Sequence, residues 1–326
     1  MVLRSIRKRK RAQKVPMIIL VVTLAVGLVG SFALWSVPQI TKGANSSNLS
    51  PEELLKSLNK EIAKYEKELE KNPQDIETIL ALSKAKAQLA SIYTSQGKTD
   101  EAKAEYEKVV QLYQQVLDKE PENLEALHGL ANAATFTEKP EIAKEATQKA
   151  LEIQAASKLK IIENIETQLE KDPSNVENIT KLADARFQLA YLYLQYNETE
   201  KANSEFEKST ELYQQVVEKT PDDADAVYRL ALAAFQAGKM DLAQENFEKA
   251  VETDPENPGK ITNYGVFLMS SSGDFEGAIE QFKKALELNP NENLKTTIQT
   301  YIALAEAQLN SNNDSQKNEA ENEKEE

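Results

Sequence analysis

The chain has 326 residues, with 39 Lys+Arg against 53 Asp+Glu, a single His and no Cys. That composition excludes disulfides and cysteine chemistry, and it argues against a histidine-ligated metal or a Ser-His-Asp triad. Aromatics at 6%, with only 10 Gly and 11 Pro, argue against an all-β sandwich or barrel.

Residues 1–14 hold seven basic residues (Arg4, Arg7, Lys8, Arg9, Lys10, Arg11 and Lys14) and no acid. The remainder then carries 32 basic against 53 acidic residues, a net −21. A body this acidic repels phosphate backbones, so no nucleic-acid partner is expected.

From Val15 to Thr41 there is no charged residue, and the run Met17–Trp35 is apolar almost throughout. About 20 apolar residues cross a bilayer core as a helix, because backbone polar groups find no water there. Trp35 suits the interface, and Pro38 ends the helix. A basic arm stays cytoplasmic, so the sequence predicts a transmembrane signal anchor over 15–37, a cytoplasmic arm over 1–14 and an extracytoplasmic body. A cleaved signal peptide is the competing reading. Gly27 and Gly30 shorten the apolar run and Ser31-Phe-Ala33 offers small residues, although no Ala-x-Ala is present. Residues 38–50 form a polar linker, and Ser50-Pro-Glu-Glu reads as a capped helix start. Residues 311–326 hold no apolar residue larger than Ala and are expected to be a disordered acidic tail.

The body repeats itself. Tyr113-Gln-Gln-Val116 recurs as Tyr213-Gln-Gln-Val216 and Gln88-Leu-Ala90 as Gln188-Leu-Ala190, while Pro73 and Pro121 recur as Pro173 and Pro221. No gap is needed anywhere, which marks a tandem duplication of a 100-residue block. Within it lies a shorter period: Pro221 to Pro255 is 34 residues and Pro255 to Pro290 is 35. From Ala224 the small and bulky residues Leu230, Ala231, Ala243, Phe247 and Ala250 precede Pro255, with Gly238 at a turn. The next unit gives Tyr264, Gly265, Gly273, Ala278, Phe282, Ala285 and Pro290, with one extra residue in a Ser-rich turn. In 124–157 the pattern keeps Leu130, Ala131, Ala143 and Ala150, while Glu138 replaces Gly at the turn.

This pattern resembles the tetratricopeptide repeat, a 34-residue helix-turn-helix unit. The resemblance implies an all-α, tetratricopeptide-type α-solenoid of antiparallel hairpins over 51–310, preceded by the one transmembrane helix. Its units lie near 74–121, 122–155, 174–221, 222–255 and 256–290, with a capping helix at 291–309. In 74–121 and 174–221 the spacing allows two further turns in each helix. The segment 140–171 reads either as one long helix or as two, divided near Ala155.

No Walker loop, dinucleotide fingerprint or zinc spacing is present, so the chain is read as non-catalytic, without cofactor or metal. In the resembling family, positions 2, 5, 9, 12 and 13 of the first helix line a peptide groove. Here they are Asp225, Tyr228, Leu232, Phe235 and Gln236, then Asp184, Phe187, Tyr191, Leu194 and Gln195, together with His128 and Asn132 in the unit between. Tyr228 and Leu232 break the basic clamp that some members use for terminal carboxylates. The alternative is that these aromatics only pack. The reading is a membrane-anchored scaffold or adaptor with protein partners and possible self-association. A chaperone-like accessory of secretion or envelope assembly, binding extended or unfolded peptides, is the alternative.

Overall fold

The computed structural model describes residues 51–325. The basic arm, the expected transmembrane helix and the linker therefore lie outside the described residues. Among the described residues, no helix is long and apolar enough to cross a membrane.

The described chain is all-helical. Its elements are α1 (Pro51–Lys71), α2 (Ile76–Ser95), α3 (Thr99–Lys119), α4 (Leu124–Phe136), α5 (Pro140–Lys171), α6 (Val176–Gln195), α7 (Thr199–Lys219), α8 (Ala224–Gln236), α9 (Met240–Thr253), α10 (Pro258–Phe267), a π-helical turn (Leu268–Ser272), α11 (Phe275–Glu287) and α12 (Glu292–Glu325). Contacts divide the described chain into two compact units. One holds residues up to 164 together with 191–202, and the other holds 165–190 and 203–325.

Local chemistry explains where helices start and stop. The side chains of Asn123, Asp223, Asn257 and Asp274 each accept from backbone N–H groups in the first turn of the helix that follows. Those donors have no intrahelical acceptor, so a side-chain cap satisfies them. The turn between α8 and α9 uses Gly238 at φ 74°, where a side chain would be strained. One block earlier, Glu138 takes that place at φ 57°, its carboxylate 2.7 Å from Lys103. In the Ser-rich turn, the extra residue is absorbed by the π-helical turn at Leu268–Ser272, which ends in a bond from the Asp274 N–H to the Leu268 carbonyl at 3.2 Å.

Helix lengths vary in matched pairs. α2 and α3 have 20 and 21 residues, and so do α6 and α7, against 13 and 14 in α8 and α9. Segment 140–171 is one unbroken helix of 32 residues. At the other end, α12 continues to Glu325, through the stretch expected to lack structure from 311. That stretch contains no Pro or Gly and ends in a Glu-rich run from Glu319, so the ladder begun at Glu292 meets no residue that must break it.

Each unit has its own core. In the first, Val109, Val110, Tyr113 and Val116 of α3 pack with Ala126, Leu127 and Leu130 of α4. In the second, Phe247 of α9, Phe267 of α10, Phe282 of α11 and Ile298 of α12 are all buried together. Small residues such as Ala231, Ala243, Ala278 and Ala285 are fully buried, which lets the helix backbones approach closely.

A charged staple recurs in both units. Lys86 of α2 lies 2.8 Å from Glu66 of α1 and 3.6 Å from Glu105 of α3. One hundred residues on, Arg186 bridges Glu166 and Glu205, the latter at 2.8 Å.

Candidate protein-binding cleft

The second unit contains a cleft of about 400 Å³. Its walls come from first helices of successive hairpins. α6 supplies Asp184 and Phe187, and α8 supplies Asp225, Tyr228, Arg229 and Leu232. The start of α10 adds Asn257, Gly259, Lys260 and Asn263, and Tyr213 enters from α7. The α10 end is shaped by Asn257, whose carboxamide oxygen accepts from the N–H groups of Gly259 at 3.1 Å and Lys260 at 3.2 Å.

The charges in the cleft are already paired. Asp184 accepts hydrogen bonds from both the Tyr213 hydroxyl and the Arg229 guanidinium. Lys260, only 5% exposed, sits 2.7 Å from Asp225 and 2.8 Å from Asp254. Burial alone would lower its pKa, but the two carboxylates outweigh burial and raise it. Lys260 in turn holds Asp254 below the usual carboxylate range. Burial pushes the Tyr213 hydroxyl up, and the Asp184 carboxylate adds to the rise. Tyr228 is raised by burial as well, with Asn263 donating to its oxygen. What remains for a ligand is a largely neutral surface: the half-buried side chains of Phe187, Tyr228 and Leu232 beside the Asn263 carboxamide, whose nitrogen already donates to Tyr228.

The sequence-predicted positions divide between the two units. Asp184, Phe187, Asp225, Tyr228 and Leu232 line this cleft. Phe235 instead stands edge-on to Phe267, with ring centroids 5.4 Å apart, and Gln236 is the last residue of α8 outside the lining. Tyr191, Leu194 and Gln195 close α6 and belong to the first unit, as do His128 and Asn132 on α4. There the His128 Nε2 lies 2.9 Å from the Tyr196 hydroxyl, which also accepts from Gln154 at 2.7 Å. Burial lowers the His128 pKa.

Tyr213, Arg229, Asn257, Lys260 and Asn263 line the cleft without having been singled out in the sequence. Two signals for them were present. Gly129 becomes Arg229 across an otherwise close duplication, and Asn257-Pro258 is a capped helix start.

Sequence profiles described as tetratricopeptide repeats match residues 78–156, 198–258 and 262–292. The chain is a tetratricopeptide repeat protein. Solved structures are similar to the chain at low identity. TTC0263, a thermophilic TPR protein of Thermus thermophilus, is 19% identical over 68% of this chain and 99% of its own, with a TM-score of 0.37. YrrB, described as a TPR protein with an unusual peptide-binding site, is 18% identical over 72% of this chain and 97% of its own, at 0.30. BtubC from P. vanneervenii is 18% identical over 74% of this chain and 92% of its own, at 0.36. Comparison with curated proteins returns no match.

Tetratricopeptide repeats generally act as non-catalytic scaffolds that bind other proteins or peptides. Among the described residues, no group of three or more His, Asp or Glu could hold a metal ion.

Proposed function

We propose that the chain is a membrane-anchored, extracytoplasmic adaptor that takes a polypeptide segment into the α6–α8–α10 cleft. The observation that carries this reading is the cleft's lining, with aromatic and aliphatic surface beside carboxamides and with every charge already compensated. Such a surface suits an extended chain, whose backbone N–H and C=O groups need partners and whose apolar side chains need cover. Anchoring rests on the charge-free apolar run from Val15 to Thr41 behind seven basic residues.

The test uses the full-length protein in its own cells, with a photoreactive residue at Phe187 or Leu232. The expected result is repeated capture of one or two envelope proteins, abolished by Tyr228→Ala and Asn263→Ala together. Capture of many unrelated secreted chains would support the chaperone-like reading instead. Links only between copies would replace the adaptor by a self-associating structural protein. Location is read separately. The chain has no Cys, so a single cysteine placed at Ser46 can be labelled in intact cells by a membrane-impermeant maleimide. Protection of that site until lysis would overturn the extracytoplasmic assignment.

A further inference from the structure

A tandem duplication creates a folding problem. The surface of α2–α3 that receives α4 is built almost like the surface of α6–α7 that receives α8. Many of the buried residues correspond, Val116 with Val216, Ala126 with Ala226 and Leu130 with Leu230, although Val109 and Val110 give way to Ser209 and Thr210. Apolar packing alone would let either long hairpin take either short one, within a chain or between copies.

The polar residues at the two junctions differ in a systematic way. In the first unit, Lys84 of α2 pairs with Glu125 of α4 at 2.9 Å. Tyr113 lies directly on Gly129, so close that a Cβ there would come within 2.3 Å of the ring. In the second unit, Lys84 is replaced by Asp184 and Gly129 by Arg229. Arg229 pairs with Asp184, and Tyr213 donates its hydroxyl to the same carboxylate.

Exchanging the partners spoils both junctions. With α2–α3 on α8, Tyr113 meets the Arg229 side chain in place of a glycine, and Lys84 faces that guanidinium. With α6–α7 on α4, Asp184 loses its cation and faces Glu125 with no guanidinium between them, while Tyr213 can lie on Gly129 as Tyr113 does. Each wrong junction leaves a like-charge contact uncompensated, and the first adds a steric misfit.

We infer that residues 84 and 129 and their counterparts 184 and 229 are a partner-choice code: each long hairpin prefers the short hairpin of its own block. The code acts on out-of-frame docking, by 100 residues, and leaves exchange in frame between copies unaffected.

The code can be erased while each block keeps a junction of a type already found in the chain. Asp184→Lys with Arg229→Gly gives both blocks the first junction. Lys84→Asp with Gly129→Arg gives both the second and leaves the cleft untouched. The full chain is unfolded in urea, refolded, and treated with a carbodiimide, which joins an amine to a carboxylate in contact. Links are read by mass spectrometry and oligomers by size exclusion, against protein never unfolded. The first variant should raise the Lys84–Asp225 link relative to the Lys84–Glu125 link by roughly tenfold after refolding, the scale of one steric misfit plus one like-charge contact. The second should raise soluble oligomers to a similar extent. Leu230→Ala, which weakens packing without changing the code, should leave the link ratio unchanged. If both variants refold with the wild-type link ratio and oligomer content, the code does not exist. If one fails to fold, the other decides. Equal out-of-frame linking in Leu230→Ala would reduce the effect to general instability.

Discussion

Arg186 completes in the second block a bridge that Lys86 leaves incomplete in the first. Arg186 is in hydrogen-bond range of both Glu166 and Glu205, because a guanidinium presents donors on two arms. Lys86 reaches Glu66 at 2.8 Å but stands 3.6 Å from Glu105, whose buried Oε2 accepts no hydrogen bond.

Lys86→Arg should therefore stabilise the first unit by about 1 kcal/mol, since an unsatisfied buried acceptor gains a donor. Arg186→Lys should cost a similar amount in the second. Hydrogen exchange of the α3 and α7 amides separates the two effects, which a single unfolding midpoint would mix. Slower exchange in α3 of Lys86→Arg is expected, and unchanged exchange would show that Glu105 is already satisfied.

Glu138 adopts a left-handed backbone that its counterpart Gly238 adopts freely. Glu138→Gly should raise stability, relief of backbone strain exceeding the loss of an exposed ion pair with Lys103. Asn197→Gly, at φ 60°, should gain less, because Asn tolerates this region better. Urea midpoints for the two variants would rank them, and a reversed order would count against the argument.

His128 links the pH axis to the first unit. Its pKa is lowered by burial, so below the unfolded value of about 6.5 the unfolded chain binds more protons than the folded one. Stability from this group is complete above that pH and is lost as pH falls through the lowered folded value. His128→Gln should flatten the fall in urea midpoint below about pH 6.5. A parallel curve for the variant would place the titration elsewhere.

Lys260 is buried between Asp225 and Asp254, and Asp225 is 75% exposed. Lys260→Met should leave the fold intact at a cost of about 1 kcal/mol, since water can solvate the freed carboxylates. It should weaken partner capture more than it weakens stability, because it alters the α8–α10 wall of the cleft. Photocrosslinking yield at Leu232 beside a thermal unfolding midpoint measures both, and full capture with lost stability would make Lys260 purely structural.

The fold was largely legible because its determinants are local. The helix of α8 follows from apolar spacing, its start from Asp223, and its end from the glycine at 238. The helix through 311–325 was not, because a lack of apolar residues removes a core but does not end a helix, and no Pro or Gly interrupts this one. The cleft was legible on α8, where register alone selects Asp225, Tyr228 and Leu232. Tyr213 was hidden because it sits on a second helix, where aromatics usually pack. Lys260 was hidden because a lysine is buried only when carboxylates reach it, and Asp225 lies 35 positions away in sequence.

The seven-residue difference between long and short helices has a further meaning for how such hairpins can grow. Seven residues fall only about 20° short of two full turns, so an insertion of that length returns the apolar stripe almost to its starting phase. One or two extra residues would swing the stripe to the solvent side, and an insertion in one helix alone would leave a turn without a neighbour. The two long hairpins of this chain obey that constraint: each differs from the short hairpin by one seven-residue step, made in both helices at once.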